Sequence, residues 1–214
     1  PDILYYENYD LISDKATIKQ LKNGERNTFR NLLELGGLNL EDLERQKFTL
    51  YNAIEEAENK VEERINGVWS QKSLNVKIRW ESESKTIHLL IQDRLDSESV
   101  DSQRSLTYPS QRSEGFKWFF SFYINLLSES DSSNKECKIL LLDDPAVYLH
   151  PEGKRDWLDS VNEIGKHEQV IFSSHSPYLI DKRYPSRILA VEDTPSGGTK
   201  INADIFGSDK CTFE

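Results

Sequence analysis

The alternation of apolar and polar positions divides the chain into a few strong elements. Residues 138–151 read Lys-Ile-Leu-Leu-Leu-Asp-Asp-Pro-Ala-Val-Tyr-Leu-His-Pro, an aliphatic run that ends in two carboxylates and a proline. Such a run predicts a strand buried on both faces, as in a parallel sheet. Residues 168–177 form a second short apolar strand that closes in Ser173-Ser174-His175-Ser176. Between the two, Trp157, Leu158, Val161 and Ile164 recur at helical spacing over residues 152–166, and Pro151 suits a helix start. Strand, helix, strand is a parallel crossover unit. Parallel sheets gather their ligand sites at the carboxyl ends of the strands, so this pattern delivers Asp143, Asp144 and His175 to one sheet edge.

The rest of the chain is patterned less strongly. Ile3, Leu4, Tyr5 and Tyr6 predict a strand, followed by a polar turn at Ser13 and Asp14. Residues 28–70 read as mainly helical, broken at Gly36-Gly37, and acids and bases such as Glu62 and Glu63 near Arg64 predict a solvated helix face. Val76, Ile78 and Trp80, then Ile87, Leu89 and Ile91, alternate as an antiparallel hairpin turning at residues 82–85. Residues 93–105, rich in Asp, Ser and Glu, read as a mobile loop. Beyond it, Arg112-Ser113-Glu114-Gly115-Phe116 opens a strongly apolar, aromatic helix. Its free amides and the positive end of its dipole lie near Ser113 and Gly115. A short helix near residues 178–182, a strand over 188–192, a turn at Ser196-Gly197-Gly198 and a last strand over 199–203 complete the chain.

Read singly, these features have ordinary explanations: a strand stopping in a polar turn, a turn histidine, a capped core helix. Their order along the chain resembles the carboxyl half of an ATP-binding-cassette (ABC) type ATPase head. More closely it resembles heads of the OLD (overcoming lysogenization defect) family and related SMC-like, AAA-type ATP-binding proteins. In that resemblance residues 139–144 match the Walker B strand, with Asp143 as the Mg²⁺ residue and Asp144 at the catalytic glutamate position. Residues 146–150 match the D-loop and end at His150, where many relatives carry aspartate; His175 matches the switch histidine that reads the γ-phosphate. Arg112, Ser113 and Gly115 fall where the signature sequence sits, Ser113 thirty residues before Asp143, and would contact nucleotide bound by a partner subunit. The Arg-Ser-x-Gly-Phe form points to the OLD-like branch. Asp144 is one methylene shorter than the usual glutamate, and Glu114 adds an anion that Arg112 would offset.

The resemblance implies an α/β fold: a parallel-sheet lobe of an ABC-type ATPase head with an inserted helical arm and an antiparallel hairpin. Residues 1–27 would be an edge strand and connector, 28–70 the helical arm, and 71–214 the carboxyl-terminal ATPase lobe. It also implies ATP and Mg²⁺ as cofactors, a homodimer formed through the heads, and DNA engaged through other parts of the parent protein. In OLD-like proteins such a head is commonly joined to a Toprim nuclease domain that cuts DNA, often in defence against phage.

Composition sets limits on that picture. With 214 residues, 30% of them charged, and a formal net charge of −10, the surface is too acidic to be a principal DNA-binding face. Cys137 and Cys211 show neither metal spacing nor a disulfide framework; with no signal sequence and no apolar run near about 18 residues, this predicts a cytoplasmic protein without membrane spans. None of the ten glycines belongs to a Gly-x-x-x-x-Gly-Lys-Ser/Thr loop, so tight ATP binding by this chain alone is not expected. The chain begins at Pro1 and contains no methionine, which predicts a piece of a longer protein whose amino-terminal lobe carries that loop. Two other classes stay open: a non-hydrolysing regulatory module that dimerises and positions an effector, and a metal-dependent hydrolase using Asp143, Asp144, His150 and His175 directly. A serine nucleophile at Ser174 or Ser176 lacks a nucleophile elbow.

Overall fold

The computed structural model describes residues 2–6, 10–45, 49–67, 73–94, 106–131, 138–194 and 197–203. These fall into two compact units, Pro1–Ser174 and His175–Glu214. Cys137, Cys211, Ser196 and most of the stretch read as a mobile loop lie outside the described residues.

The first unit is built on a parallel sheet in the order β1-β5-β6, with β1 at Asp2–Tyr6, β5 at Lys138–Leu142 and β6 at Gln169–Phe172. The α/β class, the parallel crossover and the intervening helix α6 (Pro151–Ile164) are as the patterning predicts. Register is set so that Tyr6, Leu142 and Phe172 end the three strands side by side. The expectation that β5 is buried on both faces is not met. Leu140 and Leu142 are buried, but the register places Ile3, Tyr5, Ile139, Leu141 and Ile171 on the opposite face, where Ile3, Tyr5 and Ile171 stand exposed. Helical cover lies on the Phe172 side, where Trp157 of α6 meets Phe172 edge-on with ring centroids 5.3 Å apart.

Helix α5 (Glu114–Asp131) is the centre of the core. Phe119, Phe120, Phe122, Tyr123 and Ile124 are buried along it, and Trp118 and Phe122 both face the fully buried Trp157. Aromatic groups of this size bury large areas and prefer offset or tilted contacts, which is the geometry found here. A second layer joins α2 (Asn27–Gly36) to α5 through polar bonds in the interior: the Asn125 amide donates to Thr28 Oγ1 at 2.9 Å and Asn31 donates to Asn125 Oδ1 at 2.7 Å. Of residues 28–70, read as a helical arm, the described helices belong to this unit. Helix α2 stops where the sequence predicts a break, with Gly37 in the left-handed region at φ 75°. Gly36 permits close packing on α4 (Leu50–Asn66), since a Cβ there would sit 2.8 Å from that of Ala57. A short helix, α3 (Leu40–Arg45), links the two.

The hairpin predicted over residues 74–93 is present as β3 (Leu74–Glu81) and β4 (Thr86–Asp93). It gains a third strand, β2 (Lys15–Thr17), on β4, and α1 (Ile18–Lys22) follows, capped by a reciprocal Thr17–Gln20 box. Three residues are too few for an alternation signal, so this strand, just after the polar turn read at Ser13 and Asp14, gives no sign of itself in the sequence.

Helix α4 closes the free edge of this sheet with side chains. Glu58 accepts from the Ile78 amide at 2.7 Å, Glu62 from the Val76 amide at 2.7 Å, and Asn66 Oδ1 from the Leu74 amide at 2.7 Å while its own amide donates to the Leu74 carbonyl. Four residues of helix advance about 6 Å and two of strand about 6.6 Å, so the three groups match three successive outward amides in step. Glu58 and Glu62 are therefore edge caps, and the solvated face predicted around Glu62 and Glu63 is corrected to that extent. Lys77 also donates to Glu58, at 2.6 Å; burial works against its charge, but that bond and the surrounding Glu58, Glu62 and Glu55 carboxylates raise its pKa.

In the second unit, β7 (Ala190–Asp193) pairs with β8 (Thr199–Asn202) as an antiparallel hairpin. The Thr194 amide donates to the Gly198 carbonyl at 2.9 Å, and Gly197 and Gly198 take the positive φ values its turn requires.

Glu58→Ala removes a buried acceptor and leaves the Ile78 amide unpaired, which is expected to lower unfolding free energy by about 2–3 kcal/mol. Urea unfolding of the intact protein checks this, and a change below about 0.5 kcal/mol would contradict the edge-cap assignment.

Candidate functional site at the carboxyl edge of the parallel sheet

Because β5 and β6 run parallel and end together, the residues that follow each strand meet at one edge. Ser173 donates its amide to the Leu142 carbonyl at 3.0 Å, extending the pairing by one step. Its hydroxyl accepts from the Asp144 amide at 2.9 Å and donates to Asp143 Oδ1 at 2.6 Å. Ser174 faces Asp144 Oδ1 at 3.5 Å, a long contact. The acid pair is thus oriented from the neighbouring strand.

The backbone beyond the acids is strained. Asp144 has φ 40° and Ala146 has φ 61°, a left-handed region that non-glycine residues enter rarely and at a cost of order 1–3 kcal/mol each. Ser173 holds the first of these through the Asp144 amide. The second is closed by a bond from the Leu149 amide to the Ala146 carbonyl at 3.0 Å, and Pro145, Ala146 and Leu149 are buried beneath the turn. The tight turn carries Val147 and Tyr148 outward into solvent.

The start of α5 abuts that turn. Ser113 caps the helix by accepting from the Phe116 amide at 3.1 Å, as its residue type predicts. Gly115 lies so close to the turn that a Cβ would stand 2.7 Å from the Tyr148 carbonyl oxygen and 3.4 Å from Leu149 Cδ2. Only glycine allows this approach. Ser113 and Glu114 are exposed beside it, with Glu114 accepting from Lys117.

The 145–149 turn thus links the acid pair at the sheet edge to Gly115, and so to Ser113, at the first turn of α5. Arg112 is engaged differently: it pairs with Asp93, and its guanidinium lies 4.5 Å from the centre of the Phe116 ring. His150 is the N-cap position of α6 without capping it through its side chain, and faces Glu152 at 3.9 Å. His175 opens the second unit, directly after Ser174, and is exposed. Ser173 is the residue that reading the sequence passed over. Its only signal was position, one step past the end of a strand predicted to lie beside the acid-bearing one.

Among the described residues no three His, Cys, Asp or Glu side chains come together as a metal-binding group. A carboxylate at a strand end suits Mg²⁺, which is usually held by one or two carboxylates, waters and substrate phosphates.

A protein-family model described as "AAA domain, putative AbiEii toxin, Type IV TA system" matches residues 9–181. An uncharacterized protein of Methanocaldococcus jannaschii, MJECL43, is 36% identical over 98 residues, which cover 45% of this chain and 26% of that protein. The match thus spans about a quarter of the curated relative's length. Among solved structures, one from work on ATP-driven dimerization and DNA stimulated activation of SMC ATPases superposes with a TM-score of 0.51 at 14% identity, covering 72% of this chain and 86% of that one. An Smc head bound to the C-winged helix domain of ScpA gives 0.48 at 11% identity, over 83% and 53% of the two chains. At this identity the likeness to the first is one of fold.

Gly115→Ala places a methyl group against a backbone oxygen that has no room to move without breaking the turn. It is expected to cost about 1–3 kcal/mol of stability. Urea unfolding that matched wild type would contradict the close approach.

Proposed function

This chain belongs to the AAA-domain family whose model covers residues 9–181, its fold is that of an SMC-like ATPase head, and on that premise we propose that it is the carboxyl lobe of a Mg²⁺-dependent ATPase of the OLD-like branch. In this proposal ATP is hydrolysed where two heads meet, and the intact protein uses that cycle to control DNA processing in defence against phage. The observation that carries it is the acid pair oriented by Ser173 at the sheet edge, followed by a turn that packs on Gly115 beside Ser113.

Each residue has a task that its surroundings support. Asp143, with one oxygen fixed by Ser173, would hold Mg²⁺ through water. When bound, the ion neutralises charge on the phosphates. Asp144, its backbone fixed by the same hydroxyl, would orient and deprotonate the attacking water. Ser113 uses a lone pair of its hydroxyl as a helix cap, which leaves its proton to donate to a phosphate oxygen of the partner's nucleotide. The first amides of α5 add donors and a favourable dipole, and Gly115 lets that helix start pack directly on the 145–149 turn. His175 would sense the γ-phosphate and His150 would lie on the D-loop at the dimer seam. An isologous contact suits this division, because each head offers Ser113 and Gly115 to the other's nucleotide and receives the same. The SMC ATPases whose fold it shares are described as undergoing ATP-driven dimerization.

A second reading rests on the short Asp144 side chain: a head that binds ATP, dimerises and positions an effector without appreciable turnover. Phosphate release by the intact protein separates the two. The ATPase reading predicts steady release that falls about a hundredfold or more in Asp144→Asn. It also predicts a lesser but clear loss in Ser173→Ala, which is recovered in Ser173→Thr because the hydroxyl returns. Slow exchange of bound nucleotide with no steady release, in wild type and Asp144→Asn alike, would favour the regulatory module.

A further inference from the structure

The segment that leads into α5 is tied to the end of the antiparallel sheet at successive points. Thr107 bridges to Ile91 through paired backbone bonds of 2.9 and 2.8 Å. Asp14, just ahead of β2, takes both donors of Ser110, the amide at 2.7 Å and the hydroxyl at 2.6 Å. Asp93, the last residue of β4, takes the Arg112 guanidinium, which also stacks on Phe116 in the first turn of α5.

These ties leave Arg112 little freedom to reach outward. Its side chain is 20% exposed and that of Asp93 12%, and the pair is covered by an aromatic ring on one side. A guanidinium is planar and stacks well, so ion pair and ring contact together fix both its position and its plane. The residue it fixes is the immediate neighbour of Ser113.

We propose that Asp93 and Arg112 form a brace through which the antiparallel sheet positions Ser113 and Gly115, so that Arg112 serves the partner's nucleotide by placing its neighbours and touches no phosphate itself. This rests on the ATPase reading above. Arg112 is thus a positioning residue, and Asp93 is required for the site although it lies on another sheet.

The test uses the intact protein and compares wild type, Asp93→Ala, Arg112→Ala and the double variant. Three quantities are read: ATP turnover, ATP-dependent self-association, and ATP affinity at concentrations where the protein is monomeric. The brace predicts that each single variant lowers turnover and association by about tenfold, because misplacing a reacting group is costly even without loss of contact. The double variant is expected to be no worse than either single one, since both remove one interaction. Monomer ATP affinity stays within about twofold, because each subunit binds its own nucleotide with other residues. Asp93→Glu, which retains the pair, recovers turnover; a general loss of folding would not be repaired this way. Asp93→Asn, close to aspartate in shape, serves in place of Asp93→Ala should that variant not fold, with the same expected direction.

Turnover lost in Arg112→Ala but kept in Asp93→Ala would overturn the brace and make Arg112 a direct phosphate ligand, with the ATPase reading intact. Additive losses in the double variant would overturn it in the same way. A wild type with neither turnover nor ATP-dependent association would overturn the ATPase reading and the brace with it.

Discussion

One hydroxyl holds the candidate site together. Ser173 stands one residue past the end of β6, and the parallel register sets it beside the acids that end β5. Its oxygen accepts from one acid's amide and donates to the other's carboxylate. The first bond supports a backbone conformation that aspartate enters only at a cost, and the second fixes an orientation that a metal ligand needs. If the two strands slid by one residue, the serine would face the other side of the sheet and both bonds would be lost. The crossover through α6 therefore matters chemically because it fixes register, and Trp157 anchors it by packing against Phe172 and Phe122.

The turn that Ser173 supports also meets the start of α5. A turn with positive φ at Asp144 and Ala146 brings the Tyr148 carbonyl against Gly115, so the acid pair and the helix start are joined by one short segment. From the other direction the helix start is held by the antiparallel sheet through Asp93, Arg112, Asp14 and Ser110. That sheet is in turn kept from adding further strands by the Glu58, Glu62 and Asn66 caps. The first unit thus reads as a chain of mechanical links from sheet edge to sheet edge, with the segment at residues 112–115 at its middle.

Much of this was legible where the physics is local. The aliphatic run before Asp143, the helical spacing of Trp157, Leu158 and Val161, and the Gly36-Gly37 break state their elements directly, because periodicity and backbone freedom are properties of neighbouring residues. Ser113 announced itself as a cap for the same reason. Features that depend on partners far along the chain were silent. Nothing near Ser173 says that it will meet residues 30 positions away, and nothing near Gly115 says that a backbone oxygen will fill the space of its missing side chain. Glu62 looked like a surface charge because a carboxylate that caps a strand edge has the same sequence as one in water. That Arg112 pairs with Asp93 and stacks on the Phe116 ring was silent in the sequence, because only the fold supplies those partners.

The central claim is that each head completes its partner's nucleotide site, with acids from one subunit and the Ser113 segment from the other. Mixing two inactive forms of the intact protein, Asp144→Asn and Ser113→Arg, tests it most directly. A mixed dimer pairs the unaltered acids of one subunit with the unaltered helix start of the other, so one of its two sites is whole. Random exchange in an equal mixture should then restore about a quarter of wild-type ATP turnover. No recovery after verified subunit exchange would mean that acids and helix start serve the same subunit's nucleotide, and the composite site would be wrong.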